Sequence, residues 1–292
     1  MSQVGGPRIK LNSGQEIPLV GLGTFNVADV DKAVDVALKT GYRHFDTAKL
    51  YQNEAQLGDA LQKYLPKYGV KREQIFLTTK FFLGPEKNTQ RTKELVEESL
   101  RDLRTEYLDL VLIHFPRALE KENDDPTNAD DRKEMWLALK EYNEKGIIKS
   151  IGVSNYEVRH LEEIPKYSST LPAVIQLEFH PHFRRQEIRD YCKKHGIFFQ
   201  AFSSLGRYSP NLINDPTVVA TAKKNKTSVE QVLLSYATSQ GIGIVPKSST
   251  PERIVANFKV VDFKLPSEDI QHLNEIDVNQ NYIVRCTGWL VK

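Results

Sequence analysis

Short apolar segments alternate with amphipathic segments along nearly the whole chain, and this alternation most constrains the fold. The apolar segments predict strands over 18–23, a stretch ending at Asp46, 75–80, 108–114, 147–153, 173–177, 197–202 and 242–245. The amphipathic segments predict helices over 29–40, 53–64, 92–103, 132–145, 157–164 and 186–195, with further helices between and after the last two strands. Continuously apolar strands that alternate with helices are typical of a parallel sheet covered by helices.

Eight strand–helix units in 292 residues predict an α/β fold, a (β/α)8 TIM barrel that occupies 1–292 as a single domain. A β-hairpin with its turn at Gly14 precedes the barrel, and extra helices and a loop follow at the C-terminal end. The alternative is a doubly wound sheet with an appended domain.

The positions of polar residues favour the barrel. Several polar side chains stand at or just past the end of different predicted strands, namely Asp46, Lys80, His114, Ser154, Asn155, Gln176, Ser203 and Lys247. In a barrel these ends share one face, where active sites are built. In a doubly wound sheet the same residues would be spread along a line, mostly too far apart to cooperate.

Charge and cysteine content exclude several functional classes. The formal net charge of +2 indicates neither a nucleic-acid partner nor an anionic membrane surface, and no apolar run reaches transmembrane length. The first residues lack the apolar segment of a secretory signal, so we expect none there. The two cysteines, Cys192 and Cys286, form neither zinc spacing nor a disulfide framework, so we expect both to be structural, no metal site and a cytoplasmic protein.

Four side chains suit proton transfer to an oxygen. Tyr51 carries a phenol whose reference pKa of about 10 is too high for an efficient donor near neutrality. The ammonium of Lys80 would lower that pKa, and the carboxylate of Asp46 would hold the lysine charged and in place. His114 can orient a carbonyl oxygen. Together these groups would stabilise an oxygen that becomes negative when hydride attacks its carbon.

None of these residues supplies hydride, so a cofactor is expected. Gly21-Leu22-Gly23 lacks the third glycine of a dinucleotide fingerprint, and we interpret it as a tight turn at the rim. The segment 245–253 is a stronger signal: Thr250 is a good helix N-cap, and Lys247 and Arg253 flank it. A helix start with two cations suits a 2′-phosphate, which favours NADP(H) over NAD(H).

Other strand ends carry groups that suit a nicotinamide. Ser154, Asn155 and Gln176 offer hydroxyl and amide groups for a carboxamide, and Phe202 offers a flat face for the ring. Taken singly, each candidate also has an ordinary structural interpretation, such as a turn cap for Asp46.

The motifs Asp-Thr-Ala-Lys-Leu-Tyr, Leu-Ile-His-Phe-Pro, Gly-Val-Ser-Asn-Tyr and Val-Pro-Lys-Ser-Ser-Thr-Pro-Glu-Arg-Ile resemble those of the aldo-keto reductase superfamily, in its aldose and aldehyde reductase-like members. The resemblance spans about 9–281. It implies a monomeric TIM barrel that binds NADPH in extended form, with Tyr51 as proton donor. It also implies nucleotide contacts from Thr24, Asp46, Ser154, Asn155, Gln176, Phe202, Ser203, Leu205, Lys247, Ser248, Arg253 and Asn257.

The chain departs from the family at several positions. Phe202 replaces a stacking tyrosine, and Ala256 replaces a glutamate that touches adenine in many members, so NADH use is possible. Phe25, Phe82 and Phe115 stand where tryptophan is frequent, which predicts an apolar, roomier substrate pocket that also includes Tyr282. The segment 206–215 is short beside the family's cofactor loop, and 282–292 matches least.

These observations predict an NADPH-dependent reductase of small carbonyl compounds. One alternative is an NADPH-binding sensor or structural protein with little turnover. Another is an NADH-using or dual-cofactor sugar reductase. The acidic stretch 120–131 is expected to be a solvated, mobile loop.

Overall fold

The computed structural model describes residues 4–284 and 287–292. Ten strands are present within this part of the chain: β1 (Arg8–Lys10), β2 (Glu16–Pro18), β3 (Leu22–Gly23), β4 (His44–Asp46), β5 (Phe76–Phe81), β6 (Leu108–Ile113), β7 (Ile148–Ser154), β8 (Val174–Glu178), β9 (Phe198–Phe202) and β10 (Gly243–Ile244). The α-helices are α1 (Val30–Thr40), α2 (Glu54–Lys67), α3 (Asn88–Asp102), α4 (Asn128–Glu144), α5 (Val158–Leu161), α6 (Gln186–His195), α7 (Pro210–Ile213), α8 (Pro216–Lys224), α9 (Val229–Thr238), α10 (Pro251–Phe258) and α11 (Ser267–Asn274).

Strands β3 to β10 form one parallel sheet in chain order. Its two edges meet, because Val20 pairs with Ile244 and Gly23 pairs with Lys247 in parallel bridges. The amide of Gly21 donates to the carbonyl oxygen of Ile244 across 2.8 Å at this seam. The sheet therefore closes into a barrel. The predicted (β/α)8 fold is confirmed, and the doubly wound alternative is excluded.

The predicted N-terminal hairpin is also confirmed. Strands β1 and β2 pair antiparallel with Ile9 opposite Ile17. Ile17 and Leu11 pack in a buried cluster with Phe76 and Phe198, which stand at the starts of β5 and β9. The hairpin therefore covers the end of the barrel opposite the carboxyl ends of the strands.

Gly21 and Gly23 do not form the tight turn at the rim that we predicted. They lie on and beside β3, at the seam that closes the barrel. A Cβ atom on Gly21 would stand 2.5 Å from Nδ1 of His44, and one on Gly23 would stand 2.6 Å from the carbonyl oxygen of Val245. Glycine is needed here for close approach of the neighbouring strands, not for a turn.

Several predicted element boundaries were wrong. Helices α3 and α4 each begin four residues earlier than expected, at Asn88 and Asn128. Both asparagines are buried and bind loop groups, since the amide of Asn88 donates to Asp131 and that of Asn128 donates to the carbonyl oxygen of Glu122. The last four residues of the predicted acidic loop are therefore helical. Helix α5 is a single short turn, followed by a 3-10 turn at Ile164–Lys166.

Cys192 is buried on α6, and burial raises the pKa of its thiol to about 12, which suits the structural role predicted for it. The prediction for Cys286 falls outside the described residues. No α-helix of the described chain has the length and apolar character needed to cross a bilayer.

Candidate active site

Four side chains from three neighbouring strand–loop units meet at the carboxyl end of the barrel. Asp46 ends β4, Tyr51 ends the 3-10 turn that follows it, Lys80 lies near the end of β5, and His114 directly follows β6. The ammonium nitrogen of Lys80 lies 2.5 Å from Oδ1 of Asp46 and 3.4 Å from the phenolic oxygen of Tyr51. The structure thus brings Asp46, Tyr51 and Lys80 into direct contact.

Lys80 is a buried cation held by oxygen atoms. Its side chain is 1% exposed, and it also donates to the carbonyl oxygen of Thr47 across 2.9 Å. Burial lowers the pKa of Lys80 because charge is costly in a low-dielectric interior, and the carboxylate of Asp46 acts in the opposite direction. The result is a lysine fixed in one position beside a phenol.

A second network holds Asp46. The amide nitrogen of Gln176 donates to Oδ2 of Asp46 across 2.8 Å and to Oε1 of Gln200 across 2.7 Å. The hydroxyl and backbone amide of Thr24 both donate to the backbone carbonyl of Asp46. Gln200 did not stand out in the sequence because it lies inside an apolar strand. Only the barrel geometry places it beside Gln176.

Asn53 is another residue whose role the sequence did not reveal. We predicted that it would cap α2, and it does hold the N-cap position, but its side chain makes no capping hydrogen bond. Instead its amide donates to the carbonyl of Thr24 across 2.9 Å, and its oxygen accepts from the hydroxyl of Thr47 across 2.7 Å. Asn53 therefore ties β3 to the loop that carries Tyr51.

His114 completes the cluster through ring contacts. Its ring meets that of Tyr51 edge-on, with centroids 5.9 Å apart, and lies 4.5 Å from that of Phe82. Burial and the nearby Lys80 charge lower the pKa of His114 well below its usual range. The imidazole is therefore neutral near pH 7, and one ring nitrogen can donate a hydrogen bond without carrying charge.

Aromatic side chains lie around the polar cluster at the mouth of the barrel. The Phe25 ring lies 5.0 Å from Tyr51, and the Phe115 ring lies 6.5 Å from Phe82. Of the three phenylalanines that we predicted for the pocket, Phe25 contacts Tyr51, Phe82 contacts His114, and Phe115 lies behind Phe82. Apolar rings beside the polar cluster favour apolar substituents on a ligand.

Tyr282, also predicted for the substrate pocket, is held beside the end of β8, where its backbone amide donates to Glu178. Its ring is tilted against that of His180 with centroids 5.1 Å apart, and its hydroxyl lies 2.8 Å from Nδ1 of His182. A Cβ atom on Gly206 would stand 2.9 Å from the Tyr282 ring. Tyr282 thus joins the C-terminal segment to the segment that follows β9.

The groups predicted for a carboxamide are adjacent to one another. The side-chain hydroxyl of Ser154 and the backbone amide of Asn155 both donate to the backbone carbonyl of Gln176. The side-chain nitrogen of Asn155 donates to the backbone carbonyl of His114 across 2.9 Å. Its Oδ1 is buried and has no partner among the described residues. This unused acceptor at the barrel mouth fits the amide group of a nicotinamide.

The remaining cofactor candidates lie on two further segments. Phe202 is half-buried at the end of β9, and Ser203 follows it with a φ of 51°, ahead of the half-buried Leu205. The segment 206–215 is not an open loop, because Gly206–Tyr208 forms a 3-10 turn and α7 follows.

The segment after β10 presents its cations to solvent. Lys247 and Arg253 are exposed, and the guanidinium of Arg253 lies 5.7 Å from the centroid of the Tyr208 ring. The backbone amide of Thr250 donates to the hydroxyl of Ser248 across 3.1 Å. Thr250 occupies the N-cap of α10 as predicted, but its own hydroxyl makes no capping bond. Asn257 is buried on the same helix.

Comparisons with known proteins by sequence and by structure agree on one protein family. The model of the Aldo/keto reductase family matches residues 13–278. "Aldo-keto reductase family 1 member A1" from Gallus gallus is 38% identical, with 94% of this chain and 90% of the relative covered. The solved aldose reductase from Schistosoma japonicum is 36% identical with a TM-score of 0.85, covering 94% of this chain and 93% of that one. A Bombyx mori aldo-keto reductase solved in complex with NADP is 31% identical with a TM-score of 0.86, covering 96% of both chains.

Proposed function

This chain belongs to the aldo/keto reductase family, and we propose that it reduces an aldehyde or ketone with NADPH while Tyr51 donates the proton. Members of the family are NAD(P)H-dependent oxidoreductases that act on small carbonyl compounds. The single observation that carries the proposal is the chain of contacts from Asp46 through Lys80 to the phenolic oxygen of Tyr51, 2.5 and 3.4 Å long, beneath an aromatic mouth.

Tyr51 acts as a general acid in this scheme. As the substrate carbonyl becomes an alkoxide, its oxygen takes the phenolic proton, and the ammonium of Lys80 stabilises the negative charge left on Tyr51. Asp46 favours the charged form of Lys80 and fixes its position. The proton donor is thereby assembled before substrate arrives, which reduces the reorganisation required during the reaction.

His114 orients the carbonyl oxygen. Because its pKa is well below the usual range, it donates a hydrogen bond as a neutral imidazole and does not compete with Tyr51 to release a proton. Phe25, Phe82 and Phe115 keep water from the mouth, so these electrostatic interactions act in a low-dielectric environment.

The residues present fit a nicotinamide nucleotide. Bound NADPH supplies the hydride that reduces the carbonyl carbon. The unpartnered Oδ1 of Asn155 would accept from the carboxamide, and Ser154 and Gln176 would hold the same group. Phe202 would stack on the ring, with Thr24, Ser203 and Leu205 beside the riboside and pyrophosphate. Lys247, Ser248, Arg253 and Asn257 would bind the adenosine end, where the two exposed cations suit a 2′-phosphate.

Two other functions compete with this one. In an NADPH-binding sensor, a buried Lys80–Asp46 pair aimed at a phenol would have no use, so the geometry favours turnover. An NADH-using or dual-cofactor reductase gains some support from Ala256, which offers no carboxylate to adenine. Comparing NADPH with NADH at equal concentration decides this second alternative.

We also propose that the protein is monomeric and cytoplasmic. Light scattering coupled to size exclusion should give a mass near the 33.4 kDa of one chain. A mass of twice that value would contradict the monomer.

The test is Tyr51→Phe, assayed by NADPH oxidation with p-nitrobenzaldehyde. General acid catalysis contributes about 10²- to 10⁴-fold, so kcat should fall within that range. NADPH binding, followed by quenching of protein fluorescence, should stay within about twofold, since a phenyl ring keeps the shape of the mouth. Turnover equal to wild type would eliminate Tyr51 as the donor. Quenching without turnover in the wild-type protein would favour the sensor.

A further inference from the structure

Glu178 is a buried carboxylate at the barrel mouth that the proposed chemistry does not use. It ends β8, and its side chain is 1% exposed. Among the described contacts no lysine or arginine pairs with it. Burying an isolated carboxylate costs free energy unless hydrogen-bond donors compensate for the lost hydration. The identity of the donors to Glu178 therefore indicates its role.

The donors come mainly from the C-terminal segment. The backbone amide of Tyr282 donates to Oε1 of Glu178 across 2.6 Å, and that of Ile283 donates to Oε2 across 3.1 Å. Nε2 of His180 lies 2.9 Å from Oε1. Burial lowers the pKa of His180, so its imidazole donates as a neutral group. The carboxylate of Glu178 therefore accepts hydrogen bonds from two consecutive backbone amides of a segment more than a hundred residues away in sequence.

The C-terminal segment borders the proposed cofactor and substrate site. A Cβ atom on Gly288 would stand 2.2 Å from the backbone oxygen of Asn155, so the segment lies directly on a residue proposed to hold the carboxamide. The Tyr282 hydroxyl bonds His182, whose Nε2 lies 3.1 Å from Oδ2 of Asp215. Asp215 caps the helix that follows the segment 206–215.

We infer that Glu178 is a positioning residue that latches residues 282–283 at the barrel mouth and thereby sets which carbonyl substrates fit. The inference rests on the proposed reductase function. Glu178 contacts none of Asp46, Tyr51, Lys80 and His114 among the described contacts, so it acts through the position of the C-terminal segment. Loss of the latch widens the mouth toward large substrates and leaves proton transfer intact.

The test is Glu178→Gln in the full chain. An amide side chain can accept only through its oxygen, and its NH2 group would face a backbone N–H. Exchange of the Tyr282 and Ile283 amide protons should accelerate at least tenfold. The ratio of kcat/KM for p-nitrobenzaldehyde to that for propanal should rise at least fivefold, because the wider mouth favours the larger aldehyde. kcat for propanal should stay within twofold.

Asp109→Asn is the matched control. Asp109 is a buried carboxylate at the opposite end of the barrel, where it accepts from the amide of Leu77 and pairs with Arg72. Asp109→Asn should leave the selectivity ratio within twofold, whatever its cost in stability. If Glu178→Gln fails to fold, Ile283→Pro removes one donor from the other side of the latch and should change the ratio in the same direction.

An unchanged selectivity ratio in Glu178→Gln, with or without faster exchange, would overturn the inference, because Glu178 would then serve stability alone. Failure of the proposed function is distinguishable, since the wild-type protein itself would oxidise NADPH with neither aldehyde.

Discussion

The two ends of the proposed site are built differently. At the catalytic end, Asp46 and Lys80 are buried and held by contacts to Gln176, Thr47 and Tyr51. At the adenosine end, Lys247 and Arg253 are exposed. Buried charges must find partners within the protein, whereas exposed cations remain hydrated until a ligand arrives. In the proposed function, the catalytic groups would therefore be in place before substrate arrives, whereas the contacts to phosphate would form when the nucleotide binds.

This contrast predicts different costs of mutation at the two ends. Removing one partner of a buried ion pair costs about 3–5 kcal/mol, because a charge is left uncompensated. An exposed cation contributes about 0–1 kcal/mol to folding. Substitutions at the catalytic end should therefore change both turnover and stability, and those at the adenosine end should change only nucleotide affinity.

The largest expected change in nucleotide affinity at the adenosine end comes from the double variant Lys247→Ala and Arg253→Ala. Losing two charged contacts to a 2′-phosphate should weaken NADPH binding by about 100-fold or more, as charged hydrogen bonds each contribute about 1.5–3 kcal/mol and about 1.4 kcal/mol corresponds to a factor of ten. NADH binding and kcat at saturating NADPH should stay within twofold. Fluorescence titration with both nucleotides is the measurement.

Lys259→Ala is the control for that pair, because Lys259 is an exposed cation just past α10. Its NADPH affinity should equal that of the wild-type protein. If the double variant lost affinity equally for NADPH and NADH, the two cations would not bind a 2′-phosphate.

Acid should act on the buried end of the site. His44 lies two residues before Asp46, bonds the Thr78 hydroxyl, and is fully buried, which lowers its pKa to about 4. The unfolded chain, with a histidine pKa near 6.5, binds more protons between these values. Stability contributed by neutral His44 is therefore present above pH 6.5 and lost as pH falls toward 4, by about 2 kcal/mol between pH 7 and 5.

Urea unfolding of wild type and His44→Gln at pH 7 and 5 measures this loss. The variant cannot titrate at position 44, so its free energy of unfolding should fall about 2 kcal/mol less over the same interval. Parallel pH dependence in the two proteins would contradict the assignment of acid sensitivity to His44.

The smallest expected effect is that of Phe202→Tyr, which restores the hydroxyl usual in the family. The aromatic face that would stack on the nicotinamide is unchanged, so NADPH affinity should change by less than about threefold. A change above tenfold would show that the hydroxyl, not the ring face, decides nucleotide binding at this position.

The sequence predicted the barrel and most of the candidate catalytic cluster because polar residues stand out at the ends of apolar strands. Asp46, Lys80 and His114 each interrupt an apolar run, so the meeting of strand ends at one face sufficed to predict their proximity. Gln200 was missed because it lies inside such a run and its partner is distant in sequence.

Other errors have equally specific physical causes. Gly21 and Gly23 resemble a turn signal, but the close approach that requires them depends on strands distant in sequence. Asn53 suits a helix cap, yet Thr24 and Thr47 capture its side chain through tertiary contacts. The assignment of Tyr282 to the substrate pocket stays a prediction, and the partner that places its backbone, Glu178, carries no local signal in the sequence.

We expect the preassembled Asp46–Lys80–Tyr51 chain to transfer the proton independently of the contacts that bind the nucleotide. The most direct test of this expectation is Lys80→Met, with kcat measured at saturating NADPH beside the NADPH Kd, and with folding checked by circular dichroism. kcat should fall by about 10²-fold or more, and the Kd should stay within threefold of wild type. A folded variant that keeps its kcat within threefold would contradict this expectation.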